Sequence, residues 1–324
     1  MKILVFGLDG ATPEILFADE RLTNLRRIMD CGVYGRLQSI SSVSIASAWM
    51  NMATSQIPAS ANSGSSPALA IWDQLAQRGK QSIIIGVLPG TQPRRIHAAG
   101  DEHLHTPEHP GRDVPSGLKD TAPGPAGGHF PDMGNVAITR PEALADEVLS
   151  TSRKQWELVR SLLADEEWDY FHSVEDGLDR IQQAFGKDFD QLRPEIESEG
   201  HLQDVIAQYY SGLDEQIGAV LETLDNETMV LVVSIRGERS NLSNDQTPEG
   251  MFILAAANCP VSGEYEGAHL IDMAPTLLDL AGYDIPQSMQ GKSLVAGMEK
   301  RDRGDSSEDA EKTVRDRLAG LGYV

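Results

Sequence analysis

The chain has 324 residues, 40% of them hydrophobic and 23% charged, which is enough for one large α/β domain or two small ones. Its 49 acidic residues outnumber 27 lysines and arginines and give a formal net charge of -22. A surface this acidic repels phosphate backbones and anionic lipid heads, and no basic stripe interleaved with aromatic residues is present. We therefore expect no nucleic-acid partner.

The cysteine count and the apolar runs bear on where the protein works. Two isolated cysteines, Cys31 and Cys259, predict neither a disulfide framework nor a zinc-ligand spacing. The opening stretch MKILVFGLDG goes directly into a strand pattern, without the regions of a signal peptide. Apolar runs are too short for a membrane span. We expect a cytoplasmic protein with no membrane span.

Strand and helix patterns alternate along the chain. In chain order they are a strand at 2–10, a helix at 12–32, a helix and strand at 70–90, another such pair at 143–176, a third at 201–235, a strand at 249–257 and a helix at 269–286. This alternation predicts an α/β fold over 1–295, with a doubly wound, mainly parallel sheet flanked by helices.

Two segments carry no such pattern. Residues 98–135 have no apolar period and are rich in glycine and proline, which is typical of an irregular cover loop. Residues 296–324 are predicted to be a charged linker that ends in a short C-terminal docking helix.

The carboxyl ends of parallel strands are the usual place of a ligand site. Asp9 follows the first predicted strand, where burying a carboxylate is costly unless it is paired or bound to a metal. The strand at 229–235 ends instead in Ile235 and Arg236, an aliphatic residue and a cation.

Several segments in chain order resemble the type I phosphodiesterase / nucleotide pyrophosphatase family of the alkaline phosphatase superfamily. They include ILVFGLDGATPEILF, SAWMNMATSQIP, DGLDRIQQAF, TPEGMFILAAA, HLIDMAPTLLDLAGYDIPQSMQGKSL and the ending VRDRLAGLGYV. The resemblance implies an alkaline phosphatase-like fold. It also implies an ancestral two-zinc phosphoryl-transfer site with a threonine or serine nucleophile.

The same resemblance places the six metal-ligand positions of the family on this chain. Two of them keep aspartate, and the other four have changed: Asp9, Asp179, Gln183, Ile235, Arg236 and Gln246. Isoleucine has no donor atom, glutamine amides are weak zinc ligands, and arginine is a permanent cation. We expect no bound cofactor, and without zinc the phosphoryl oxygens lack a Lewis acid.

The nucleophile has changed as well. Aligned on Trp49 and Thr54, the family's nucleophile position holds Ile45, flanked by Ser44 and Ser47. A one-residue slip of the alignment would place Ser44 there instead.

Other side chains offer alternatives at or near this site. Arg236 is predicted to form an ion pair with Asp9, and Asp179 to bond with Gln183 one helical turn away. A separate metal site is conceivable at three loop histidines, although a hydrophilic loop is the simpler interpretation: His103, His105 and His109.

Three hypotheses follow from these residues. The first is a catalytically inactive protein kept as a binding or partner subunit for another protein or an anionic small molecule, with oligomers possible. The second is an active hydrolase of phosphodiesters or phosphate esters with a rearranged single-metal or metal-free site. The third is an anion binder that uses Arg236. An ion pair between this arginine and a carboxylate of the same chain would weaken this third hypothesis.

Overall fold

The computed structural model describes residues 1–39, 44–57, 68–87, 94–96, 141–185, 198–236, 249–257, 259 and 262–297. The predicted cover loop at 98–135 lies outside these residues. So does the predicted linker and docking helix, apart from its first two positions.

A single mixed sheet organises the described residues. Its strands are β1 (Lys2–Leu8), β2 (Val33–Gln38), β3 (Ser82–Ile85), β4 (Arg94–Ile96), β5 (Tyr170–Glu175), β6 (Thr228–Ser234), β7 (Gly250–Ala255), β8 (Gly263–Glu264) and β9 (Ala268–His269). The strand order is β4-β3-β5-β1-β6-β7-β2-β8, and β9 also pairs with β2. The central strands β3, β5, β1 and β6 are parallel. The predicted α/β class with a mainly parallel sheet is therefore confirmed.

Helices cover both faces of this sheet. They are α1 (Pro13–Ala18), α2 (Thr23–Cys31), α3 (Ile45–Thr54), α4 (Ile71–Ala76), α5 (Pro141–Asp165), α6 (Gly177–Phe185), α7 (Ser198–Leu221) and α8 (Met273–Leu280). Side chains alternate along β1, so Ile3 and Val5 join a core with α3, α4 and α8. Leu4 and Phe6 join a second core with α2, α5 and α7 on the opposite face. Burial on both faces explains why β1 is a continuous apolar run.

Three of the elements predicted from the sequence differ in the structure, which also contains elements that the sequence prediction did not name, such as β2 and α3. The helix predicted at 12–32 is two helices, because Asp19 leaves the helical conformation and its carboxylate binds the backbone N–H and guanidinium of Arg21. The helix predicted at 269–286 is a 3-10 turn, Leu270–Asp272, followed by the shorter α8.

The third difference is the direction of β7, which runs antiparallel to both β6 and β2. A parallel neighbour requires a crossover, usually through a helix, and residues 235–249 show no helical apolar period in the sequence. Across the described part of the chain, no helix has the length and apolar character needed to cross a bilayer.

Candidate functional site

The central strand β1 delivers Asp9 to the carboxyl edge of the sheet. Gly7 pairs with Val174 of β5 on one side and with Val233 of β6 on the other. Two residues further on, this register sets Asp9 level with Ile235. The site predicted from the sequence therefore forms where β5, β1 and β6 end side by side.

The turn that carries Asp9 is fixed to the end of β5 and to α6 by one backbone hydrogen bond each. The Asp9 N–H donates to the Glu175 carbonyl at 2.8 Å, and the Asp179 N–H donates to the Asp9 carbonyl at 3.1 Å. Gly10 has a φ of 84°, and a Cβ there would lie 2.7 Å from the Asp179 nitrogen. Glycine permits both the positive φ and the close approach that brings the beginning of α6 beside Asp9.

The Asp9 carboxyl group is almost completely buried, with 1% of the residue exposed. Burial is the main cause that raises its pKa to about 7, and the nearby Asp179 carboxylate raises it further. The positive charge of Arg236 lowers this pKa. The indole N–H of Trp49 lowers it as well, although its geometry is looser than that of a hydrogen bond. Asp9 Oδ1 has no hydrogen-bond partner among the described residues.

Arg236 contributes a cation to the same site. Its Nη2 lies 3.7 Å from Asp179 Oδ1, and the two side chains are 15% and 6% exposed. The hydroxyl of Ser234 donates to the Arg236 carbonyl at 2.7 Å and holds the backbone where β6 ends. The ion pair predicted between Arg236 and Asp9 was therefore wrong in its partner. Within the described residues Arg236 forms an ion pair with Asp179, and its charge lowers the pKa of Asp9.

The donors present do not fit the two zinc ions implied by the family resemblance. Ile235 is fully buried in the apolar core and offers no donor atom. Arg236 places a guanidinium against one of the two remaining carboxylates. Within the described ranges, no cluster of three or more histidine, cysteine, aspartate or glutamate side chains is arranged to hold a metal ion. No chemical step through a metal is derived from this arrangement.

Several residues predicted for the site lie outside the part of the chain that can be described. Gln183 belongs to α6, but its side chain is outside that part, and so is the bond predicted between it and Asp179. Four other predicted residues are wholly outside it: Gln246, His103, His105 and His109.

The segment where the family resemblance predicted the nucleophile forms the beginning of α3. Ser44 is the N-cap residue, and its hydroxyl accepts a hydrogen bond from the Ser47 N–H at 3.1 Å. The two hydroxyl oxygens are 2.9 Å apart, and both serines are exposed. Ile45 is the first helical residue and is half-buried. The hydrogen bonds observed for Ser44 are therefore those of a helix cap.

A buried acid that was not predicted from the sequence lies beside the site. Glu175 ends β5; its Oε1 accepts a hydrogen bond from the Tyr209 hydroxyl at 2.5 Å and one from the Gly177 N–H at 3.2 Å. Burial raises the pKa of Glu175 to about 7. Burial also raises the pKa of Asp176, which follows it. The sequence does contain an indication of this acid. The strand predicted within residues 143–176 ends in the acidic residues of the SVED segment, as the first predicted strand ends at Asp9.

Comparisons with known proteins were made for both sequence and fold. No protein-family model matches the chain. The 2,3-bisphosphoglycerate-independent phosphoglycerate mutase of Vibrio atlanticus is 32% identical over 114 residues, which cover 32% of this chain and 22% of the mutase. A mutase of the same description from Methanosarcina acetivorans is 30% identical over 100 residues, 28% of this chain and 19% of that protein. The matches thus span about a fifth of these relatives.

Solved structures match over almost the whole chain. A putative sulfatase from Bacteroides thetaiotaomicron has a TM-score of 0.55 and 14% identity, and the match covers 95% of this chain and 76% of that one. A phosphonate monoester hydrolase from Silicibacter pomeroyi has a TM-score of 0.52 and 16% identity, over 95% of this chain and 78% of the hydrolase. Identities this low establish the fold and leave the chemistry to the site. The chain therefore has the α/β fold of the alkaline phosphatase superfamily.

Proposed function

We propose that this protein is a catalytically inactive member of the alkaline phosphatase superfamily, retained as a binding or partner subunit. The observation that carries the proposal is the contact between Arg236 and Asp179, 3.7 Å apart, at two of the positions where the family resemblance expects metal ligands. A guanidinium this close to the carboxylate opposes zinc binding at the same group, because the two cations repel each other.

The chemistry of the neighbouring residues supports the same proposal. Continuing the β1–β6 register two residues past Gly7 and Val233 sets Ile235 level with Asp9, and the buried aliphatic side chain of Ile235 offers no lone pair to a metal. Of the six positions where the resemblance expects metal ligands, two keep a carboxylate, whereas a tightly bound zinc ion needs three or four donors. Without a metal, nothing in this set lowers the pKa of a nucleophile or neutralises charge on a phosphoryl group.

The finer assignment within the superfamily is part of the proposal. The ordered motifs of the sequence resemble type I phosphodiesterases / nucleotide pyrophosphatases, and we assign the chain to a degenerate branch of that family. Its partner is another protein or an anionic small molecule. A simple anion site at Arg236 is disfavoured, because the guanidinium is already engaged by Asp179.

A second candidate is an active hydrolase of phosphodiesters or phosphate esters with a single-metal or metal-free site. The feature that favours it is the pair of exposed hydroxyls, Ser44 and Ser47, at the amino end of α3. The positive end of a helix dipole favours anions there. In this alternative the hydroxyl oxygen of Ser44 or Ser47 bonds to phosphorus as the P–O bond to the leaving alcohol breaks, and the serine proton ends on the released alcohol.

The experiment that separates the two candidates is a hydrolase assay combined with metal analysis. The protein is purified from zinc- and manganese-supplemented medium, and bound metal per chain is determined by elemental analysis. Turnover of bis-p-nitrophenyl phosphate, p-nitrophenyl phosphate, p-nitrophenyl sulfate and a phosphonate monoester is then measured with zinc, manganese or EDTA. The Silicibacter pomeroyi phosphonate monoester hydrolase, prepared in the same way, is the positive control.

We expect substoichiometric metal and no turnover above that of the Asp9→Asn variant. Close to one or two tightly held metals per chain would contradict the proposal. Saturable turnover that disappears in Ser44→Ala or Ser47→Ala would establish the hydrolase instead. Binding of phosphate or sulfate, measured by calorimetry on the same preparation, tests the anionic small-molecule partner.

A further inference from the structure

The site contains a charge problem that the fold must solve. Asp9 and Asp179 are both buried, and each brings its carboxylate to the same edge of the sheet. The backbone bond from the Asp179 N–H to the Asp9 carbonyl fixes their proximity, so neither can move away without breaking the turn. Like charges this close and this well shielded from water oppose folding unless a cation lies beside them or one carboxyl group keeps its proton.

We infer that Arg236 is a built-in counter-ion that takes over the structural task of the missing metal, so that the folded state is stable without one. This inference rests on the proposed absence of the metal site and goes beyond it, because it assigns a role to the residue that is present. The established fold supplies the two acids, and the end of β6 supplies the cation.

The placement of Arg236 fits this role. The residue follows the buried Ile235, whose side chain anchors the chain in the core, and Ser234 binds the Arg236 carbonyl at 2.7 Å. The backbone direction is thus fixed on both sides of the strand end. From there the guanidinium reaches Asp179 at 3.7 Å while only 15% of its side chain is exposed.

The chemistry of arginine also fits. A guanidinium stays charged at any physiological pH and is more weakly hydrated than an ammonium group, so its burial costs less than that of lysine. Its charge acts on both acids, since it lowers the pKa of Asp9 and pairs directly with Asp179. One fixed cation therefore compensates two carboxylates.

The inference is tested by a double-mutant cycle in buffer containing EDTA. The melting temperatures of the wild type, Arg236→Met, Asp179→Asn and the double variant are compared by circular dichroism. Methionine keeps the length and apolar stem of the side chain but removes the charge. Arg21→Ala, which removes an exposed arginine paired with Asp19, is the matched control.

We expect Arg236→Met to lose several degrees of melting temperature, whereas the Arg21→Ala control changes little. The double variant should be more stable than the sum of the two single losses predicts, because its pair of opposite charges has been removed together. Additive losses, or a melting temperature of Arg236→Met equal to that of the wild type, would overturn the inference.

If Arg236→Met does not fold, the double variant decides the question. A folded double variant supports the counter-ion, and a double variant as unfolded as the single one refutes it. These outcomes are independent of the proposed function, because the cycle is measured without metal and without substrate. Hydrolysis or stoichiometric metal in the wild type would refute the proposed function. The double-mutant cycle would still show whether Arg236 and Asp179 stabilise the fold as a pair.

Discussion

The buried carboxyl group of Glu175 should make stability depend on pH in a way that a single substitution removes. This side chain is 5% exposed and accepts hydrogen bonds from the Tyr209 hydroxyl and the Gly177 N–H. Burial raises its pKa from 4.5 to about 7. The variant is Glu175→Gln, which keeps the size and an acceptor oxygen but cannot ionise.

The magnitude follows from proton linkage. Between pH 4.5 and about 7 the folded state holds a proton on Glu175 that the unfolded state has released. The stability that the protonated Glu175 carboxyl contributes is therefore fully present below its pKa in the unfolded state. This contribution is lost as the pH rises through its pKa in the folded state. A shift of this size corresponds to a loss of about 3 kcal/mol in the free energy of unfolding. The Glu175→Gln variant should not show this pH-dependent loss, because glutamine does not ionise.

The assay is urea denaturation of the wild type and Glu175→Gln at several pH values between 4 and 8. The difference in unfolding free energy should be small at the acid end and should grow in favour of the variant by about 3 kcal/mol toward pH 8. Glu157→Gln, which changes an exposed glutamate on α5, is the control and should show no such trend. A pH-independent difference between Glu175→Gln and the wild type would refute the reasoning.

Three further substitutions test how the site and its supports are built. Gly10→Ala should lower the unfolding free energy by about 1–3 kcal/mol, because the residue has a positive φ and its new Cβ meets the α6 backbone. Gly79→Ala has a positive φ but open space around the new Cβ, so it measures the cost of the backbone conformation without the steric contact in the same urea titration. Asp214→Ala removes the carboxylate that accepts hydrogen bonds from backbone N–H groups at the start of α2. It should lower the unfolding free energy, measured by thermal unfolding, by about 1–3 kcal/mol. A loss no larger than that caused by replacing an exposed aspartate would contradict this prediction. Ser44→Ala should cost about 1 kcal/mol as a lost helix cap while background hydrolysis stays unchanged, and any fall in turnover would favour the hydrolase candidate.

The sequence by itself determined the fold class and the edge of the sheet where the site lies. Buried parallel strands are apolar along their whole length, so β1 and β6 were recognisable without knowledge of their neighbours. The position of Asp9 at a strand end followed from the same local pattern. The family resemblance also placed Ile235 and Arg236 at two positions expected to hold metal ligands, and the chemistry of these two side chains is the same in any fold.

Only the tertiary structure decided which groups meet. The sequence prediction missed the local contact between Asp19 and Arg21 that divides the first predicted helix. The antiparallel direction of β7 is set by its pairing with β6 and β2 across the sheet. The partner of Arg236 is Asp179 rather than Asp9, because hydrogen bonds from the Asp9 turn fix the start of α6 beside the end of β6. Charge pairing and pKa values arise from distances across the fold, and those distances are set by packing between segments far apart in the chain.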